Sequence, residues 1–418
     1  MYHTKRWVYW PDHMSREPRE PRTRAVRLRE TALTSAARHR VWHTQKRVEP
    51  TPHHPKRILN THKHVDGGWL WTKYGAHPYI GCQGGCVYCY WRDEKYNMLA
   101  RDPAASHLSD PFSQYIKIKT NAPDLLRKEL SRVQKDVINV GDYQPAEEKY
   151  GLSREMLGVC AELAFPTLIL ETSPLVLKDL DVISKINERS WACVMFSIAR
   201  GDSEGYGEIF EPNAPRIEGR FRAMKKIADS GILAGTAFMP ILPHICDDDS
   251  NLENVVRKTA ENGGRFVLAA GLTMSGAQAR FFLDALRKYD AALVEKYEEL
   301  YGTAYSPLDT KYSGRIGFKV RDLCARYGIL DRLPVTWRHV SGNWEVSQRT
   351  IHEWLDDSAL RRRVTLRRDI KWWATGYRHC KKCQRRPGVL VPIDQDGEVV
   401  WVCTKDHTHI LDAASGMA

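Results

Sequence analysis

Residues 77–96 read HPYIGCQGGCVYCYWRDEKY. Cys82, Cys86 and Cys89 stand as C-x3-C-x2-C, directly after a predicted strand over Pro78–Gly81, where a loop can wrap a cluster. Thiolates at this spacing are what an iron–sulfur cluster requires, and Gly81, Gly84 and Gly85 let the backbone turn around it. A fully liganded four-iron cluster takes four cysteines and only three are local, so one iron is left open to a substrate or cofactor. The competing readings are a zinc knuckle and chance thiols. Zinc sites pair their ligands as C-x2-C with a second pair downstream, which this loop lacks nearby.

Downstream of the triad, apolar strand-like runs alternate with amphipathic stretches. Strands are predicted at Val137–Gly141, Thr167–Thr172, Cys193–Ile198, Leu233–Pro240 and Phe266–Leu272. Helices are predicted between them, at Ala122–Gln134, Ser153–Ala164, Asp181–Glu188, Ile217–Ser230 and Leu252–Asn262. Repeated strand–helix units predict an α/β fold with a parallel sheet and right-handed crossovers. Six units fall short of a closed eight-fold barrel, which predicts a partial barrel open on one side. After Gly276 the strands are expected to stop, with helices over Ala277–Tyr301, Asp309–Tyr327 and Ser347–Leu355. The organisation read from this is a basic arm (1–68, with one helix near Thr23–His39), the barrel (69–276), a helical extension (277–376) and a small Cys/His module (377–418).

The formal charge is +12, and residues 1–64 hold 15 Lys/Arg against 5 Asp/Glu. A second basic block, Arg361–Arg386, runs beside Trp372, Trp373 and Tyr377. A charge run alone is as often a solvated face. Two blocks, one interleaved with aromatics, tilt the balance to a polyanionic partner, since cations neutralise phosphates and aromatic rings stack on exposed bases. No apolar run of about 18 residues occurs, so no membrane partner is expected. The basic, Pro-broken start lacks a signal-peptide core, which predicts a cytoplasmic protein whose ten cysteines serve metal or catalysis rather than disulfides.

Cys380 and Cys383 are followed, across the run VLVPIDQDGEVVWV, by Cys403, His407 and His409. The run predicts a hairpin turning near Asp394–Gly397. Cys380, Cys383, Cys403 and His407 match a closed structural Zn2+ ribbon, with Arg378, Lys381, Lys382, Arg385 and Arg386 around it; an auxiliary iron–sulfur cluster and unliganded thiols are the alternatives.

The triad, with Tyr88 before its third cysteine, resembles the signature of the radical S-adenosylmethionine superfamily. Residues 75 to about 275 are similar to its spore photoproduct lyase-like branch, through IKTNAPDLLRKEL, GDYQPAEEKYGLSR, ETSPLVLKDLD, SIARGD, FEPNAPRIEGR and MPILPHI in order. The resemblance implies a partial (β/α)6 barrel with a [4Fe-4S] cluster on Cys82, Cys86 and Cys89 at its mouth. It implies that the open iron chelates S-adenosylmethionine, whose reductive cleavage yields a 5′-deoxyadenosyl radical. A flavodoxin- or ferredoxin-type protein would supply the electron. Tyr88 would lie near the adenine, and Gly141 and Asp142 would approach the methionine amino group. Ser197 would contact the ribose or carboxylate, with Arg200 and Glu211 nearby; a loop-bracing ion pair of Glu211 with Arg220, and Ser197 as a satisfied core hydroxyl, are the alternatives.

The branch implies a thymine-derived base in DNA as substrate, flipped or single-stranded when the radical reaches it. Two departures redirect the chemistry. The lyases carry a hydrogen-donating cysteine in a C-T-S-D-like stretch, where this chain has Val137-Ile-Asn-Val-Gly-Asp142. Where relatives carry T-K-S, it has Glu171-Thr172-Ser173. Without the thiol, a rearranged product radical can retake hydrogen from 5′-deoxyadenosine. That is radical isomerisation, the step an Nα-glycylthymidine radical isomerase performs in phage thymidine hypermodification. Cys160 and Cys193 are alternative donors, and Tyr143 or Tyr150 alternative relays. Rival readings are lyase-type repair, modification of tRNA or a peptide, and a nucleic-acid-binding protein with a structural cluster.

Overall fold

A computed structural model describes residues 49–62, 72–96, 99–302, 304, 310–331 and 333, and the backbone of strands 337–340, 343–346, 390–395, 398–403 and 408–410. The predicted helices Thr23–His39 and Ser347–Leu355, the block Arg361–Arg386, and Cys380, Cys383 and His407 lie outside the described residues.

The strands in chain order are β1 (Thr51–His53), β2 (Asn60–Thr61), β3 (Tyr74–Ala76), β4 (Tyr79–Ile80), β5 (Lys117–Lys119), β6 (Ile138–Val140), β7 (Thr167–Glu171), β8 (Ala192–Ser197), β9 (Leu233–Ile241) and β10 (Val267–Gly271). The main sheet runs β10-β9-β8-β7-β6-β3-β2. All its pairings are parallel except β2 with β3. Six parallel strands therefore follow one another in chain order, with β10 and β2 at opposite ends. Helices Ala122–Leu130, Leu152–Glu162, Leu180–Arg189, Ile217–Asp229 and Asp249–Glu261 fill the connections. This is the order that the predicted mixed α/β architecture requires.

The near-continuous apolar strands reflect burial on both faces, the usual fate of a parallel sheet. Successive β8 side chains alternate between two cores. Val194 and Phe196 join the large core with Met156, Ile183, Met224 and Val255 from the helices. Cys193 and Met195 join a smaller one with Leu168, Trp191, Leu233 and Phe266. Helices Gly276–Tyr289, Ala292–Tyr301 and Thr310–Arg326 add Phe282, Leu286, Tyr297, Tyr301 and Val320 to the large core.

Four local outcomes differ from the sequence reading. The first parallel strand of the main sheet is Tyr74–Ala76, not Pro78–Gly81, and Pro78 has no N–H to continue its ladder. Tyr79–Ile80 instead pairs antiparallel with β5, which pairs parallel with β1. Residues 49–62, assigned to the arm, thus enter two sheets, and Glu129 Oε2 accepts from Leu59 N at 2.7 Å. Second, Ala277–Tyr301 divides at Asp290, whose extended backbone ends one helix while its Oδ1 accepts from Ala292 N at 2.9 Å. Third, an antiparallel hairpin, β11 (Trp337–Val340) and β12 (Asn343–Val346), lies where only helix was expected. Its strands flank Ser341-Gly342, a turn-forming pair. Fourth, β15 (Thr408–Ile410) adds a third strand to the predicted hairpin of β13 (Leu390–Gln395) and β14 (Glu398–Cys403). No helix among the described residues is long and apolar enough to cross a membrane.

Close packing between β9 and the end of β10 makes a direct prediction. A Cβ on Gly235 would stand 2.6 Å from Phe266 Cε1, and that ring is fully buried. Gly235→Ala should cost about 1–3 kcal/mol through overpacking. Denaturant unfolding measures it, and unchanged stability would contradict this packing.

Candidate active site

The triad loop is shaped by its backbone before its thiols act. Gly81 has φ +88°, and a Cβ there would stand 2.6 Å from the Tyr115 carbonyl oxygen. Gly85 has φ +64°, so both positions favour glycine. Cys82 N donates to Phe112 O at 2.9 Å, and Cys89 N to Cys86 O at 3.3 Å. Arg92 fastens the loop from within. Its Nε donates to Cys86 O at 2.8 Å and its Nη2 to Gly85 O at 2.8 Å. The same guanidinium forms a forked pair with Asp110, at 2.7 and 3.0 Å, and lies over the rings of Phe112 and Phe281.

Three further moorings bring the loop against segments that follow sheet strands. After β6, Gln144 Oε1 accepts from Gln83 N at 3.0 Å, while Gln83 Oε1 accepts from Ala146 N at 2.8 Å. After β8, Phe210 O accepts from Val87 N at 3.0 Å, and Asn213 N donates to Gly84 O at 3.2 Å. After β10, Gln278 Nε2 donates to Tyr88 O at 3.1 Å, Ser275 Oγ donates to Asp93, and Glu94 accepts from Ala277 N at 2.9 Å. The loop therefore sits at the carboxyl ends of the parallel strands, where α/β folds gather their functional loops.

The residues singled out from sequence group around this loop. Gly141 has φ +117°, and a Cβ there would meet Ile169 and Tyr143 at 3.3 Å. The Asp142 carboxylate accepts from Gln144 Nε2 at 3.2 Å, and burial pushes it up to about 7 despite that bond and nearby Lys119. Glu171, buried and close enough to feel Asp142, is pushed well above the carboxylate range by burial first and by Asp142 second. Tyr88 is buried and its hydroxyl donates to Glu211. The other Glu211 oxygen holds Arg220 Nη2, and Arg220 Nη1 donates to Ser197 O at 2.8 Å. Both Glu211 oxygens are thus engaged in a buried brace. Ser197 Oγ donates to Met239 O at 3.1 Å, tying β8 to β9. Arg200 Nη1 donates to Ile245 O at 2.8 Å, and its buried Nε has no partner among the described residues.

Arg92, Gln83, Gln144, Gln278 and Asp110 were missed by the sequence reading. For Gln83 and Arg92 the one local signal was a polar residue embedded in an aromatic, cysteine-rich stretch; Asp110, Gln144 and Gln278 lie far from it in the chain.

The three thiols are partly exposed and form no disulfide. Burial pushes all three up, Cys86 to about 12, and Asp142 adds to the rise at Cys82. Three thiolates here therefore need a positive partner, and metal binding coupled to deprotonation provides one. No three Cys, His, Asp or Glu side chains among the described residues converge on a single ion. A four-iron cluster makes a different demand, because each thiolate takes its own iron. The glycine-shaped loop and the three-thiol donor set fit that group. For the zinc ribbon, only Cys403, at the end of β14, falls within the described backbone.

No family model matches the chain. An uncharacterized protein of Mycobacterium tuberculosis is 28% identical over 262 residues, 61% of this chain and 74% of the relative. One of Methanocaldococcus jannaschii is 29% identical over 181 residues, 42% and 63% of the two chains. One of Acidianus two-tailed virus is 24% identical over 256 residues, 60% and 82%. Among solved structures, a spore photoproduct lyase variant with bound AdoMet and dinucleoside spore photoproduct matches with TM-score 0.51 at 14% identity, covering 67% of this chain and 80% of the lyase. A lyase complexed with dinucleoside spore photoproduct matches at TM-score 0.50 and 15% identity. The likeness is one of fold.

Arg92→Met should destabilise the metal-free protein, toward the lower end of the roughly 3–5 kcal/mol for breaking a buried ion pair, because Asp110 retains 19% exposure. Alkylation of Cys82, Cys86 and Cys89 should also accelerate as the loop loosens. Wild-type stability and alkylation rates together would contradict the role given to Arg92.

Proposed function

We propose that this chain is a radical S-adenosylmethionine enzyme acting on a thymine-derived base in DNA. The observation that carries the reading is the three-thiol loop moored at the carboxyl ends of the parallel strands. The fold likeness to spore photoproduct lyases supports it, and one of those lyases binds AdoMet and a dinucleoside lesion. Cys82, Cys86 and Cys89 would hold a [4Fe-4S] cluster with one open iron. When bound, cluster and S-adenosylmethionine supply a 5′-deoxyadenosyl radical, and the protein supplies placement and shielding. Gly141 and Asp142 would receive the methionine amino group, with Asp142 held close by Gln144. Ser197 and Arg200 would address the ribose or carboxylate, and Arg200 has an unused Nε for the task. Glu211 would act by holding Tyr88 in place near the adenine.

Within this class we read the reaction as radical isomerisation, as in thymidine hypermodification. Support comes from the stretch Val137–Asp142, which has no thiol. Cys160 and Cys193 are fully buried among apolar side chains, as small hydrophobes commonly are. A product radical without a thiol partner would retake hydrogen from 5′-deoxyadenosine. Tyr143 is spoken for, its hydroxyl donating to Asp179 at 2.8 Å. A flavodoxin- or ferredoxin-type donor would reduce the cluster. We also propose a structural zinc on Cys380, Cys383, Cys403 and His407, a reading that rests on their sequence spacing alone.

Anaerobically reconstituted protein with reductant should convert S-adenosylmethionine to 5′-deoxyadenosine, and Cys86→Ala should abolish this. Absence of 5′-deoxyadenosine from the wild type would sink the enzyme reading. Incubation with DNA carrying an N-linked glycyl thymine, followed by nucleoside digestion, separates the two reaction types. An isobaric nucleoside of altered retention supports isomerisation. Failure to rearrange it, with unmodified thymidines released from spore photoproduct DNA, supports lyase repair instead.

A further inference from the structure

The stretch following Cys89 inverts the usual placement of side chains. Three of its charged members turn inward: the Arg92 side chain is 1% exposed, Asp93 is buried against Ser275, and half-buried Glu94 is tied to Ala277 N and to Arg280 Nη2 at 2.6 Å, while Lys95 stays exposed. Its aromatic members are outside: Tyr90, Trp91 and Tyr96 are 48%, 37% and 45% exposed. The exposed large hydrophobic side chains among the described residues are all aromatic, and three of the five are here. They are arranged together, with ring centroids 5.3 Å apart for Tyr90–Trp91, 5.6 Å for Tyr90–Tyr96 and 6.0 Å for Trp91–Tyr96. His77 packs edge-on to Trp91 at 5.6 Å, and Lys95 Nζ lies over the Tyr96 ring, 4.8 Å from its centroid and 3.5 Å from Asp93 Oδ2. Lys119 stands behind His77, donating to its carbonyl at 2.8 Å.

We propose that Tyr90, Trp91 and Tyr96 form a stacking shelf for an unpaired nucleobase of a DNA strand, with Lys95 at its rim facing the phosphates. The inference deepens the proposed DNA substrate and rests on that reading. Clustered exposed aromatic rings with a lysine beside them suit a planar base on an anionic backbone. Buried Arg92 and Asp93, with half-buried Glu94, hold the shelf beside the third cysteine of the triad. A base stacked there would hold its strand at the reacting end of the sheet, which an enzyme reaching an extruded base requires.

Fluorescence anisotropy of the full chain tests this with a labelled single-stranded thymine oligonucleotide and an abasic strand of equal length. The wild type should prefer the thymine strand. Trp91→Ala and Tyr96→Ala should each weaken thymine-strand binding by about tenfold, within the roughly 1–3 kcal/mol per stacked base. Abasic-strand affinity should hold, and Trp91→Phe should retain most of the preference. Iron content measured alongside shows whether a loss follows from a damaged cluster loop, and Tyr96→Ala carries the test if Trp91→Ala does not fold. Equal wild-type affinity for the two strands, equal losses on both in the variants, or tighter binding of a uridine RNA strand would overturn the shelf. Failure of the wild type to bind any strand would instead overturn the DNA reading beneath it.

Discussion

A loop that presents three thiols cannot rely on those thiols to hold its shape, and Arg92 meets that constraint here. Its guanidinium caps the carbonyls of Gly85 and Cys86 while forking onto Asp110 between two aromatic rings. A buried ion pair is often no net gain in stability. Its value lies in geometry, since a planar fork fixes several acceptors at once where an apolar side chain would fix none. Everything placed around the triad inherits that geometry, from Tyr88 on one side to the aromatic trio on the other.

The moorings of the loop also explain why so many polar side chains are buried at this end of the sheet. Gln83 and Gln144 bind reciprocally to one another's loops, and Gln278 reaches the Tyr88 carbonyl. Glu211 joins Tyr88 to Arg220, which in turn grips the carbonyl at the end of β8. Such networks are costly unless nearly every member is satisfied, and here most are. Burial pushes the carboxyls of Asp142 and Glu171 up, although each accepts a hydrogen bond.

Much of this was legible in the sequence because parallel strands buried on both faces leave continuous apolar runs. The predicted ranges for β7 to β10 fall within about two residues of the observed strands, and C-x3-C-x2-C marked the loop. The first strand was misplaced because Tyr79–Ile80 is as apolar as Tyr74–Ala76, and only Pro78 signalled the switch of partner. The helix break at Asp290 was hidden by helical periodicity on both sides. The hairpin at Trp337–Val346 was overlooked because its strands are short and carry polar Arg338, His339 and Glu345. Arg92 and the glutamines were illegible for a different reason. Their partners are backbone carbonyls, amides and loop residues far along the chain, brought close only by the fold.

The account turns on one claim, that Cys82, Cys86 and Cys89 hold a four-iron cluster whose remaining iron is open to S-adenosylmethionine. Electron paramagnetic resonance of the reduced, reconstituted protein, recorded with and without S-adenosylmethionine, tests it most directly. A reduced four-iron signal that changes on addition of S-adenosylmethionine, and that is lost in Cys86→Ala, is the predicted result. A spectrum indifferent to S-adenosylmethionine, or a cluster that survives loss of Cys86, would contradict it.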